Sequence, residues 1–120
     1  MKILVCGGRD YLDYTTMEKV LYDIVDRYDP DDVLIIQGGA NGADYLAKVF
    51  AYCYGWGGLA CKEYPADWKR YGRRAGPIRN QQMLDEEEPD LVLAFGGAVG
   101  TNDMVTRAKK TGIEVREYGR

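Results

Sequence analysis

Three glycine turns hold the residues of this chain that are best suited to chemistry. The last runs Phe95-Gly96-Gly97-Ala98-Val99-Gly100-Thr101-Asn102-Asp103, between the apolar run Leu91–Phe95 and a helix-like segment over 104–110. Glycines where a strand gives way to a helix let the main chain come close to an anion, and the free N–H groups of the helix start point at it. The N–H groups of Gly96, Gly97 and Gly100, with the Thr101 hydroxyl, therefore form a candidate phosphate cradle. Two earlier turns also follow apolar runs, Gly7-Gly8-Arg9-Asp10-Tyr11 and Gly38-Gly39-Ala40-Asn41-Gly42-Ala43-Asp44. Arg9 can pair with a phosphate or with its neighbours Asp10 and Asp13. Asn41 or Asp44 can hold a sugar hydroxyl or a base, although Asn41 serves equally well as a helix N-cap. A tight turn explains any one of these clusters. Three together point to a nucleotide-like ligand.

A fourth constellation lies in 64–80, which reads as the longest irregular stretch. A loop of that length in a compact domain is usually functional. Trp68 and Tyr71 can stack on a base, and Arg73, Arg74 and Arg79 can contact phosphates. Arg79 and Asn80 stand where a helix begins. The chain has no histidine, which removes His-dependent triads, the usual metal sites and the commonest general base. Catalysis would fall to carboxylates, Arg, Lys, Tyr, Ser/Thr, Cys or main-chain groups. The three cysteines, Cys6, Cys53 and Cys61, have the spacing of neither a disulfide framework nor a zinc site, so all three are expected in apolar packing. No metal and no cofactor are called for.

The elements that position these turns follow from periodicity. Apolar runs over 2–6, 32–37, 59–64, 91–95 and 113–117 read as five strands. Stripes at three and four residues over 15–28, 42–54, 76–87 and 102–110 read as helices. Strands alternating with helices give a parallel sheet covered on both faces, an α/β Rossmann-like sandwich of strand order 3-2-1-4-5. That order makes the strands before the three turns neighbours and gathers the turns at the crevice where the order reverses. At 120 residues, with 46% hydrophobic and 29% charged residues, the chain is expected to form one domain over 1–120. It has neither a membrane span nor a signal peptide, which places it in the cytoplasm. A net charge of −3 argues against non-specific nucleic-acid binding. The acidic run Asp85-Glu86-Glu87-Glu88 is expected in solvent. Among ten tyrosines, Tyr45, Tyr52 and Tyr54, with Trp56, form either a self-association face or half-buried packing.

As a set, these motifs resemble the SLOG superfamily, whose Rossmann-like members include the LOG phosphoribohydrolases and the DprA-type DNA-processing proteins. The likeness is closest to its YspA-like (YAcAr) branch. It rests on Gly7 to Asp10, Gly39 to Asp44, the Tyr-Pro-Ala-Asp-Trp run ending in Asp67 and Trp68, Ala75 to Asn80, and Gly96 to Thr101. The resemblance implies a nucleotide-derived ligand, a homodimer and, for LOG-like chemistry, Arg79 and Asp103 as the catalytic pair for cleaving an N-glycosidic bond. Phe95 stands where the LOG motif has Pro, and Asp103 where it has Glu. The expected ligand-binding set is Gly7, Gly8, Arg9, Gly38, Gly39, Ala40, Asn41, Asp44, Asp67, Trp68, Arg79, Asn80, Gly96, Gly97, Gly100 and Thr101. A nucleotide-binding sensor, sequestering or processing protein is the leading reading. A phosphoribohydrolase-like enzyme is the alternative, and DprA-like DNA binding is disfavoured by the acidic balance.

Overall fold

A computed structural model describes residues 1–119. Five parallel strands, β1 (Lys2–Gly7), β2 (Leu34–Gln37), β3 (Ala60–Glu63), β4 (Leu91–Phe95) and β5 (Glu114–Tyr118), form one sheet in the order β3-β2-β1-β4-β5. This is the expected doubly wound order. The helices are α1 (Tyr14–Val25), α2 (Ala43–Cys53), α3 (Trp68–Tyr71), α4 (Ala75–Glu87) and α5 (Val99–Lys110).

Strand alternation divides the core into two. Ile3 and Val5 of β1, Ile35 of β2, and Leu91, Leu93 and Phe95 of β4 pack with Met17, Leu21 and Val25 of α1 and with Ala47 and Phe50 of α2. Leu4, Cys6, Ile36, Val92 and Ala94 point the other way, onto Met83 and Leu84 of α4 and Met104, Val105 and Ala108 of α5. The central strands are apolar on both sides because helices cover both sides. Phe95 closes the first core, stacked on Tyr118 at 4.9 Å between ring centroids and tilted against Tyr11 at 5.5 Å.

Register decides where the turns emerge. Gly7 pairs with Phe95, so β1 and β4 end level and their glycine turns leave the sheet side by side. The Gly8 N–H donates to the Phe95 carbonyl at 3.0 Å, and the Gly8 carbonyl accepts the Ala43 N–H at 3.1 Å. All three turns are thereby bonded through Gly8. Gly42, at φ 76° and ψ −127°, carries the chain past this contact. A side chain there would fall on the Gly8 carbonyl and the Arg9 backbone.

Several expectations are corrected. The stretch 64–80 is largely helical rather than irregular. The Asp67 carboxylate accepts the Arg70 N–H at 3.2 Å and caps α3, a 3-10 turn over Gly72–Arg74 follows, and α4 begins at Ala75. α5 starts at Val99, three residues before the expected position, because the bend is complete by Ala98. α1 stops at Val25 instead of 28, and Asp13 caps its start by accepting the Thr16 N–H. Only Cys6 of the three cysteines is buried. Cys53 lies on the side of α2 that faces a surface groove, and Cys61 lies on the exposed edge strand β3. Glu87 is buried instead of solvated. It accepts a hydrogen bond from the Tyr64 hydroxyl and pairs with Lys62 at 3.1 Å. Its acidic neighbours Asp85, Glu86 and Glu88 are exposed.

Candidate functional site

The three turns and the start of α4 enclose a cleft of about 740 Å³ over the carboxyl ends of the strands. The β1 turn contributes Gly7, Gly8, Arg9 and Asp10, and the β2 turn contributes Gly38, Ala40 and Asp44. The β4 turn and the first residues of α5 contribute Gly97, Ala98, Val99, Gly100, Thr101 and Asp103. Arg79 and Asn80 of α4 form the facing wall, with Trp68 and Arg73 at its edge. No side chain caps the start of α5. The first N–H groups of a helix have no partner within the helix, so such a start carries partial positive charge and suits an anion.

Arg79 is held by backbone. Its Nη1 donates to the Gly38 carbonyl at 2.6 Å and the Tyr64 carbonyl at 3.1 Å, and its Nε donates to Asn80 Oδ1 at 3.0 Å. Gly38 is glycine because any side chain there would occupy the place of the guanidinium. Burial pushes the Arg79 pKa below its ordinary value and Arg9 adds to this, while Asp44 opposes it. Arginine keeps its charge through such a shift.

Asn80 passes the arrangement on to α5. Its Nδ2 donates to Asp103 Oδ2 at 3.0 Å and to the Gly100 carbonyl at 3.2 Å. Asp103 also accepts from Arg107 Nε at 2.8 Å, and Arg107 Nη1 donates to Gln81 at 2.9 Å. Asp103 therefore borders the cleft with its Oδ2 already engaged by two donors. The Arg9 guanidinium of the β1 turn reaches across to lie over the Trp68 ring, 5.6 Å from the centroid, instead of pairing with Asp10 or Asp13.

Asp44 is the buried carboxyl of the site. One of its oxygens accepts the Ala40 N–H at 3.2 Å. Burial raises its pKa to about 6, and the backbone N–H groups and Arg79 hold it from rising further. Between the unfolded value of 3.8 and about 6, the folded state carries the extra proton. Stability contributed at Asp44 is thus highest below pH 4, falls as pH rises towards 6, and is flat above that. Asp44→Asn should remove this slope. The difference in unfolding free energy between the two proteins should change by about 2–3 kcal/mol between pH 4 and 7, as denaturant titration would show. An unchanged pH profile in Asp44→Asn would mean that the carboxyl titrates normally.

Four of the expected residues do not line the cleft. Gly39 faces Glu63. Asn41 is exposed, and the N-cap of α2 is Gly42 instead. Asp67 is used as the cap of α3. The Gly96 N–H donates to the Tyr118 carbonyl at 2.9 Å, which removes it from the expected cradle because β5 lies alongside. Cys6, Met83, Val99 and Pro77 line the cleft and were not expected to. Met83 was legible, since it lies four residues after Arg79 and so shares its helix face.

A five-stranded parallel sheet with a glycine-lined crevice at its switch point defines a doubly wound, Rossmann-like α/β protein. A sequence profile of the YspA, cpYpsA-related SLOG family (YAcAr) matches residues 1–71. The chain is also 34% identical over 126 residues to the Gene 61 protein of Mycobacterium phage D29, covering 98% of this chain and 96% of that protein. The chain belongs to the YAcAr family. The α4 start and the β4 turn lie beyond the profile's span, within the length shared with the phage protein. No solved structure matches the chain. Family membership points to a nucleotide-related ligand. No helix among the described residues is long and apolar enough to cross a membrane.

Proposed function

We propose that this chain binds a nucleotide or nucleotide-derived small molecule in the cleft over β1 and β4. The observation that supports this most is the meeting of the glycine turns with the uncapped start of α5 and with Arg9 and Arg79 in one hollow. The phosphate lies at the start of α5 between Gly8 and Gly100, and Arg9 and Arg79 neutralise it. Asp44 takes a sugar hydroxyl, and Trp68 offers its half-exposed ring to the base. The test is a thermal-shift panel of nucleoside monophosphates, polyphosphates and nucleotide-derived messengers, with the recovered compound analysed by chromatography. One compound that stabilises the protein and is recovered intact supports a sensor or sequestering protein. No stabilisation by any member of the panel would remove the proposal.

One arrangement favours a second reading, a phosphoribohydrolase-like N-glycosidase. Arg79 and Asp103 border the same cleft and are joined through Asn80, with a carboxylate on one side and an anion-binding helix start on the other. In that case free base appears from one monophosphate, and Asp103→Asn lowers its release by about 100-fold or more while affinity stays within a few-fold. Base release that survives in Asp103→Asn would take the catalytic role away from Asp103.

A further inference from the structure

The two outer helix layers of this protein differ. On α4 and α5 the exposed large apolar side chains among the described residues are Ile78 and Val99, both near the helix starts, and the α3 turn packed beside α4 adds Trp68 and Tyr71. The α1–α2 side exposes Tyr22, Tyr45, Tyr52 and Trp56. Tyr45 and Tyr52, seven residues apart on α2, fall on one outward face. Trp56 follows the end of α2 between Gly55 and Gly57 and is fully exposed. A fully exposed tryptophan is unusual in a folded chain, because its ring is among the largest apolar surfaces a residue can bury. Beside it a groove of about 470 Å³ runs between α1 and α2, lined by the buried Phe50 and by Gly55, the neighbour of Trp56. Knob and hollow thus stand next to each other on one face.

We propose that two copies of this chain pair through the α1–α2 face about a two-fold axis, the Trp56 indole of each seated in the groove of the other. A two-fold contact uses the same patch twice, so it must be self-complementary. This patch is so in shape, with one projection and one recess. It is so in charge as well, because Glu18, Lys19 and Asp23 line the groove and Lys19 of each copy can meet a carboxylate of the other. Two buried indoles remove only about 300–500 Å² from water. A stable interface needs roughly 1,200 Å² or more. The outward tyrosines must therefore be covered too, and the indoles act as anchors within a wider contact. No residue of this groove lines the cleft, so both clefts stay open in the pair. The inference is independent of what the cleft binds.

Sedimentation or light scattering over a concentration series tests the pairing, and thiol labelling locates it. Cys53 lines the groove, Cys61 is exposed on the β3 edge, and Cys6 is buried. The wild type should shift from monomer to dimer as concentration rises, and alkylation of Cys53 should slow in step while that of Cys61 does not. Trp56→Glu should weaken pairing by about 30-fold or more, the effect of losing an anchoring interface tryptophan, with its melting temperature as a monomer unchanged. A wild type that stays monomeric at millimolar concentration overturns the proposal. So does a dimer that persists in Trp56→Glu, or one in which Cys53 reacts as fast as in the monomer.

Discussion

Gly42→Ala should lower the melting temperature by roughly 8–24 °C. Two costs add at that position. Its φ of 76° with ψ of −127° is a conformation that residues with a side chain rarely adopt, at about 1–3 kcal/mol. The new Cβ would also collide with the Gly8 carbonyl and the Arg9 backbone, and no side-chain rotation relieves a clash with main chain. Overpacking of this kind costs about 1–3 kcal/mol more. At about 4 °C per kcal/mol for a domain of this size, the sum of roughly 2–6 kcal/mol gives that drop. Gly55→Ala is the control. Gly55 also has positive φ, at 55°, but a Cβ added there meets nothing within 4 Å, so it bears only the conformational cost. Calorimetry on both proteins would check this, and equal melting temperatures would mean that the contact at Gly42 relaxes freely. A folded remnant of Gly42→Ala should also bind ligand poorly, because the displaced Gly8 carbonyl belongs to the cleft floor.

Arg79→Ala is expected to weaken binding of the stabilising nucleotide by about 10- to 150-fold, equivalent to roughly 1.5–3 kcal/mol for a lost charge-assisted hydrogen bond. The structure adds a second consequence. The Gly38 and Tyr64 carbonyls lose the donor they share, and each buried acceptor left unpaired costs on the order of 1–3 kcal/mol of stability. Arg79→Lys separates the two roles. A lysine keeps a positive charge but lacks the fixed fork that reaches both carbonyls and Asn80 at once. Affinity should recover more than stability does. Calorimetric titration and denaturant unfolding of the three proteins would decide. Unchanged affinity for every nucleotide in a folded Arg79→Ala protein would remove Arg79 from the ligand site and leave it as a brace between two turns.

The sheet order was legible because it rests on long-range rules: alternating element types, right-handed crossovers and doubly apolar central strands. The convergence of the three turns followed from that order. What escaped was local. The helix over Trp68–Tyr71 depends on the Asp67 cap, and its four residues are too few to show a period. Glu87 sits in a run of four acids that looks solvated, and nothing in the sequence marks Tyr64 and Lys62 as its partners across space. The exposure of Cys61 follows from β3 lying at the sheet edge, where no further strand flanks it. For the site, residue type predicted proximity well and contact poorly. Gly96 and Gly97 are adjacent and chemically identical. Yet the N–H of Gly96 is taken by Tyr118, a residue 22 positions away, and only Gly97 lines the cleft.

Because Gly8 ties the three turns together, the floor of the cleft is made largely of main chain, while its rim is made of side chains from Trp68, Arg73, Pro77 and Val99. These two parts answer differently to mutation. A change on the floor disturbs the joint between turns and is felt as lost folding. At the rim, exposed or partly exposed side chains can be exchanged with little effect on stability, yet they would touch whatever projects from a phosphate bound as proposed. A lineage built on this plan can therefore change its choice of ligand at a handful of positions while the fold and the anion seat stay as they are. Among related chains, ligand preference should diverge sooner than architecture.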